Sequence, residues 1–258
     1  TIEDTQSFFE TYYTNDNFTF AIVGDVDPAE MKELAETYFG DIQSSNDAHI
    51  LNTLEPEQRG ERRFTIEEES QPILFAGYHT VGQIHEDYPA LEMLASILSG
   101  GRTSRMYKTL VQDEQLALAA QTAVGFPGSK YQSLFIAFGV PNQGVSMDTL
   151  ETAIYDEIEK VKSEGVTQQE LERAITNAKA NLVRGLNSNM GLAMSLARTH
   201  GQQGDWRRLF TRINDLENVT VEDIQRVANT YLNKENRTVG KIINQPADSE
   251  VTENQSGN

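Results

Sequence analysis

The sequence predicts an α+β fold built from duplicated sandwich units, each a mostly antiparallel sheet covered by helices. Two observations carry this expectation. Strand-like segments come in blocks between blocks of amphipathic helix, without the strict alternation of a parallel sheet. The opening residues also return at the end: Thr1-Ile2-Glu3-Asp4-Thr5-Gln6 as Thr220-Val221-Glu222-Asp223-Ile224-Gln225, Thr11-Tyr12 as Thr230-Tyr231, and Asn17-Phe18-Thr19 as Asn236-Arg237-Thr238. That is eight identities in 24 aligned positions at a constant offset of 219. So long a period marks a duplicated domain and not a solenoid. If the later copy closes a unit, the earlier copy closes one too. Residues 1–42 are therefore expected to finish a preceding unit whose body lies upstream, and the chain to be a fragment.

The elements follow in order. Thr1 is a helix N-cap with Asp4 at the reciprocal capping-box position, and Phe8, Phe9 and Tyr12 form the apolar face behind it. Phe18 to Val23 reads as a strand ended by Gly24-Asp25. Asp27-Pro28 opens a second helix bearing Met31, Leu34, Ala35 and Tyr38-Phe39, with Gly40 at its C-cap. Residues 43–63 are polar, with Ser44-Ser45-Asn46 and Pro56, and form the linker; Arg59, Arg62 and Arg63 within it read as a solvated approach to a strand. The complete unit is expected over 64–245. Phe64-Thr65-Ile66 and Ile73 to Tyr78 are strands, and Asp87-Tyr88-Pro89 opens a helix with Leu91, Leu94, Ala95 and Leu98. Gly100-Gly101 breaks it, and Ser104 to Val111 is helical again. Ala117–Phe126 and Leu134–Val140 alternate as paired antiparallel strands. Helices are expected from Met147 to Gly165, from Thr167 to about Arg184, over Met190–Gln202, Trp206–Leu216 and Thr220–Tyr231, before a last strand Val239–Ile243. Residues 246–258 carry the composition of a disordered tail.

Composition narrows the function. With 39 acidic residues against 21 Lys and Arg, the net charge of −18 argues against a nucleic-acid surface, which needs a basic stripe. Hydrophobic residues at 38% suffice for a core, yet no run of about 18 apolar residues exists to span a bilayer. The absence of cysteine excludes disulfides and thiolate chemistry.

No assembled catalytic group is visible. His49, His79, His85 and His200 include no pair at the i, i+4 spacing that places two imidazoles on one helix face for zinc. His85-Glu86-Asp87 has cation-binding residue types, but acids at a helix start and a surface histidine explain it better. His200, ahead of Gly201, fits the last turn of a helix, where the dipole favours it. The segment Ser99-Gly100-Gly101-Arg102-Thr103-Ser104 has neither Walker nor dinucleotide spacing. It reads as a turn between helices in which Gly100 and Gly101 supply positive φ. It also reads as a loop whose amides and cations contact an extended peptide, which makes Gly100, Gly101, Arg102, Ser104 and Arg105 the candidate substrate-binding residues.

At this loop a resemblance enters. Leu98-Ser99-Gly100-Gly101-Arg102-Thr103-Ser104-Arg105-Met106-Tyr107-Lys108-Thr109-Leu110 resembles the Gly-Gly, Ser-Arg-Leu-Tyr signature of pitrilysin/insulinase-type zinc metallopeptidases. Val23-Gly24-Asp25-Val26-Asp27-Pro28 is similar to the Val-Gly-Asp strand end late in that family's first unit, and Gly165-Val166-Thr167-Gln168-Gln169-Glu170-Leu171 to one of its helix starts. The order and spacing of these motifs cover the chain to about Gln245.

The resemblance implies a bacterial two-unit zinc protease-like protein of which this is the C-terminal half. In that family zinc sits on an inverted His-x-x-Glu-His helix plus a distant Glu in the first unit; this sequence contains no such motif, so any zinc is expected upstream and no cofactor in this chain. The second unit ordinarily supplies an Arg and a Tyr seven residues apart, and those positions are Val111 and Leu118 here. Neither side chain can hydrogen-bond a scissile carbonyl, so the role is not carried over. The implied partners are a peptide or unfolded polypeptide, the upstream unit in cis, and a homologous subunit bearing the Arg/Tyr pair. The alternative is a non-catalytic scaffold or peptide-binding subunit of the same fold. A bacterial periplasm or cell envelope is the expected compartment, with the cytoplasm as alternative.

Overall fold

The computed structural model describes residues 1–42 and 55–244. The central part of the expected linker with His49, and the expected tail at 246–258, lie outside the described residues. Packing divides the chain into two compact units: unit 1 is Thr1–Glu55 with Thr176–Asp215, and unit 2 is Pro56–Ile175 with Leu216–Asn258.

Unit 2 is built on a five-stranded mixed sheet of order β1-β5-β2-β4-β3, with β1 Arg62–Glu68, β2 Ile73–Thr80, β3 Ala117–Phe126, β4 Ser133–Pro141 and β5 Arg237–Asn244. Every pair is antiparallel except β1 with β5, which is parallel. One face of the sheet is covered by helices: α3 (Tyr88–Ser99) packs on β3, α4 (Met147–Glu164) on β4 and α8 (Val221–Tyr231) on β2. The alternation of β2 supplies the reason. Leu74, Ala76, Tyr78 and Thr80 are buried toward the helices, together with Leu91, Leu94, Leu98, Ile154, Ile158, Ile224 and Val227. On the opposite face Phe64, Ile66 and Phe75 remain exposed, with Phe75 stacked on Phe138 at 5.6 Å. The α+β sandwich expected from the sequence is therefore the observed architecture.

Charged groups fasten the strands to α4. The carboxylate of Glu151 accepts from Arg63 and Lys241 at 2.7 Å each. Burial pushes its carboxyl up, but those cations outweigh it and hold it at about 2. Arg63 also pairs with Glu61, which accepts from Arg237. Arg63, expected as a solvated cation, is thus part of a network that crosses β1, β5 and α4.

In unit 1, α1 (Ile2–Tyr12) begins on the anticipated capping box, Thr1 accepting from the Asp4 amide, and α2 (Pro28–Phe39) begins on Asp27, whose side chain accepts from Ala29 and Glu30. Gly40 ends α2 in a right-handed conformation. Unit 1 also takes most of α5 (Gln168–Gly185), all of α6 (Asn189–Gln203) and most of α7 (Arg208–Glu217). The duplication is visible in three dimensions. α1 and α8 match residue for residue at the offset of 219, as do the short 3₁₀ turns Asn15–Asn17 and Lys234–Asn236, and Thr220 and Asp223 rebuild the same capping box.

One element departs from expectation. Phe18–Val23 forms no strand, whereas its counterpart is β5. The side chains have strand propensity, but a strand exists only as a partner in a ladder. β5 finds β1 and β2 on either side; no described residue pairs with 18–23.

The two copies differ in burial accordingly. Val227 and Ala228 are fully buried on α8, while their counterparts Phe8 and Phe9 are each 57% exposed. Ile224→Ala is expected to cost about 2–5 kcal/mol, and Phe8→Ala less than about 0.5 kcal/mol, in urea unfolding of residues 1–258. Equal losses would show that the α1 face is already part of a core.

Candidate functional site

The candidate loop starts where α3 stops. Gly100 has φ −73°, and its amide donates to the Ser96 carbonyl at 2.6 Å. The expectation of positive φ at both glycines holds only for Gly101, at φ +97°. Gly100 is required for a different reason: a Cβ there would stand 2.4 Å from the Ser96 carbonyl oxygen. Ser99 ties this end of the helix to β3, its hydroxyl accepting from the Thr122 amide at 2.8 Å.

The three polar candidates have separate fates. Ser104 is buried, its hydroxyl donating to the Gly101 carbonyl at 2.6 Å, which closes the turn from inside. Arg105 makes a two-pronged pair with Glu170, Nε to Oε1 and Nη2 to Oε2 at 2.8 Å each, and Nη2 also donates to the Gly165 carbonyl. Glu170 closes the capping box of α5 by accepting from the Thr167 amide at 2.8 Å. The guanidinium is therefore engaged in fixing the loop to the start of α5. Arg102 is exposed. Of the candidate side chains, it is the cation on the outer surface of the loop.

Beyond the loop the backbone is unusual. Residues Tyr107–Asp113 form a π-helix where an ordinary helical pattern is expected up to Val111, and Gln115 has φ +53°. The register of β3 on β4 then slips between Ala117 and Ala119, leaving Leu118 as the extra residue of a bulge. Asn142 closes the turn, its side chain donating to the Gln115 carbonyl and its amide to that of Leu116. This frame carries Val111 half-buried within the π-helix and Leu118 57% exposed at the bulge. π-helices and bulges concentrate at functional sites because they re-aim side chains. Sequence reading located these two positions but not the frame, since neither feature leaves a periodic signal.

The histidines do not converge. His79 Nε2 lies 3.3 Å from Gln58 Oε1, and His85 Nδ1 accepts from the Asp87 amide at 3.1 Å. Asp87 is held by Tyr231 at 2.6 Å and Arg226 at 2.7 Å. Burial pushes its carboxyl up, yet these donors keep it below the ordinary carboxylate value. His200 stands in the last turn of α6. Among the described residues, no group of three or more His, Cys, Asp or Glu is placed to hold a metal, and zinc does not fit the residues present. No described helix is long and apolar enough to cross a membrane.

The Arg105–Glu170 pair has a pH signature. Hydrogen bonding to Arg105, together with the Thr167 donors, outweighs burial and holds the Glu170 carboxyl at about 2, against an ordinary 4.5. A depressed carboxyl contributes stability in full above its unfolded value and loses it as pH falls through the folded one. Glu170→Gln is expected to cost about 2 kcal/mol near pH 7. The difference from the parent chain should shrink as urea midpoints are followed from pH 5 to about pH 2; a pH-independent difference would show that the pair contributes no such linkage.

Residues 1–178 match the family model described as Peptidase M16 inactive domain. The zinc protease PqqE of Helicobacter pylori is 29% identical over 235 residues, covering 90% of this chain and 52% of that protein. The chain spans about half the length of the curated relatives it matches. A crystal structure of a protease from Helicobacter pylori superposes with a TM-score of 0.84 at 25% identity, over 95% of this chain and 59% of the other. An inactive-domain structure from Pseudomonas fluorescens shares the fold at a TM-score of 0.81 and 18% identity, over 96% and 58%. The match over residues 1–178, with the same fold in the solved relatives, shows that the chain belongs to the Peptidase M16 inactive-domain family.

Proposed function

We propose that residues 1–258 are the substrate-enclosing, C-terminal half of a zinc-dependent metalloendopeptidase. Zinc belongs to an upstream unit in cis, of which residues 1–42 are the closing piece, and residues 64–245 are the complete second unit. The observation that carries this reading is the inactive-domain match in a chain whose described residues hold no metal group. PqqE, of which this chain matches about half, bears the name of a zinc protease.

What this half offers a polypeptide is surface. Arg102 on the outer side of its loop and Leu118 on the bulge supply one cation and one apolar contact. β3 lies at the end of the sheet order, so an extended peptide can be held there by strand addition. The side chains of Val111 and Leu118 have no hydrogen-bonding group, so stabilisation of a developing oxyanion has to come from another surface. A homologous subunit bearing the Arg/Tyr pair is the partner this reading requires. One observation favours a second reading. The frame presents apolar side chains at 111 and 118, as a non-catalytic scaffold or peptide-binding subunit would.

Both readings expect purified residues 1–258 to bind no stoichiometric zinc and to hydrolyse no peptide; either activity would sink both. A longer protein from the same gene separates them. Zinc at about one equivalent by atomic absorption, with casein cleavage that needs the homologous subunit, supports the peptidase. A metal-free, inert longer protein supports the scaffold.

A further inference from the structure

The eight identities of the repeat fall into two classes when the hydrogen bonds of each copy are compared. Some act within their own segment and are satisfied in both. Thr1 with Asp4 and Thr220 with Asp223 build the same capping box. The Thr11 hydroxyl donates to the Ser7 carbonyl at 2.7 Å, and Thr230 does the same to Arg226 at 2.9 Å.

The other class reaches out of its segment. In the second copy Gln225 Nε2 donates to the Lys162 carbonyl at the end of α4 (2.9 Å). Tyr231 donates its hydroxyl to Asp87 at the N-cap of α3 (2.6 Å). Asn236 Nδ2 donates to its own Tyr231 carbonyl and to the His79 carbonyl of β2 (2.9 and 2.8 Å), and Thr238 donates to Gln58 Oε1 (3.2 Å). These four contacts seat the α8–β5 segment on a helix end, a helix start, a strand and a loop of its unit.

In the first copy the same four side chains are present, and their outward contacts are not made. Asn17 keeps the inward bond to the Tyr12 carbonyl at 2.8 Å, and no second acceptor meets it among the described residues. No hydrogen bond joins Gln6, the Tyr12 hydroxyl or the Thr19 hydroxyl to a described residue. The apolar side is equally open: Phe20 is 57% exposed where its counterpart Val239 is 1%. Within unit 1, Phe18, Thr19, Phe20, Ala21 and Ile22 border a cleft of about 470 Å³. A segment that carries a complete set of docking groups and an uncovered apolar face is built to be covered.

We propose that Gln6, Tyr12, Asn17 and Thr19 form a four-point polar latch that seats one upstream α+β unit of the same fold, supplied in cis. Phe18–Val23 then becomes an internal strand of that unit's sheet. The occupant is defined by chemistry. It presents a helix C-terminal carbonyl to Gln6, a carboxylate at a helix N-cap to Tyr12, a strand carbonyl to Asn17 and an acceptor to Thr19. Strands on both sides of 18–23 complete it, one parallel and one antiparallel, as β1 and β2 flank β5. This inference rests on the proposed upstream unit, but not on that unit's zinc or on hydrolysis.

Amide hydrogen exchange of the longer protein, read against residues 1–258 alone, tests it. Amides of Phe18–Val23 should exchange rapidly in residues 1–258, and in the longer protein as slowly as those of Arg237–Asn244. In the longer protein Tyr12→Phe should speed exchange across 18–23 roughly 10- to 100-fold. Tyr13→Phe, whose counterpart Leu232 has no hydroxyl, should leave it unchanged. Rapid exchange at 18–23 in the longer protein, or equal effects of the two substitutions, would overturn the latch. Protection without zinc defeats the peptidase reading and leaves the latch standing; zinc and hydrolysis without protection do the reverse.

Discussion

The fold of unit 2 depends on a strand that arrives last. Among the described residues β1 pairs only with β5, and β5 lies between β1 and β2. Until residues 237–244 insert, the strand that follows the linker has no ladder and stands apart from β2. The closure joins positions about 175 apart in sequence, as in Arg63 against Val239, so a long loop must close before the pairing is rewarded. The side chains around this insertion follow from that demand. Tyr231 and Arg226 grip Asp87 on α3, Asn236 fixes the strand start to β2, and Lys241 and Arg237 reach Glu151 and Glu61.

The same demand explains how the acidic composition is arranged. With 39 acids against 21 Lys and Arg, cations are scarce, and many sit where a strand or helix must be fixed. Arg63, Lys241, Arg237, Arg105 and Arg226 each face a partly or fully buried carboxylate. Arg237 also lies over the Tyr155 ring at 3.7 Å, adding a flat contact to its ion pair. Acids outnumber Lys and Arg by 39 to 21, and that excess keeps the surface solvated and unsuited to nucleic acid.

Much of this was legible in the sequence wherever the signal is local. Capping boxes at Thr1, Thr167 and Thr220 mark helix starts because the reciprocal bonds span three residues. Alternation in Ala117–Phe126 and Leu134–Val140 marks strands that share a buried face. What escaped depends on distant partners. Arg105 and Glu170 are 65 positions apart, so the loop's second cation gave no sign of being committed. The parallel pairing of β1 with β5 is likewise invisible to local pattern. Phe18–Val23 reads as a strand and is not one, because propensity supplies the side chains and a ladder supplies the state.

The frame from Tyr107 to Leu118 shows how backbone can set where two side chains are presented. Gln115 in the left-handed region is a strained conformation for a residue with a Cβ, and it is held by two hydrogen bonds that Asn142 makes to the carbonyls of Gln115 and Leu116. That turn leads the π-helix into the bulge, and the bulge points Leu118 outward. Position and direction are therefore set by backbone and Asn142, independently of what occupies 111 and 118. Polar groups there would stabilise charge developing on a substrate carbonyl; Val and Leu can only exclude water and pack. If this half meets a polypeptide, those positions contribute contact and desolvation, and the electrostatic part of any reaction has to be supplied by another surface.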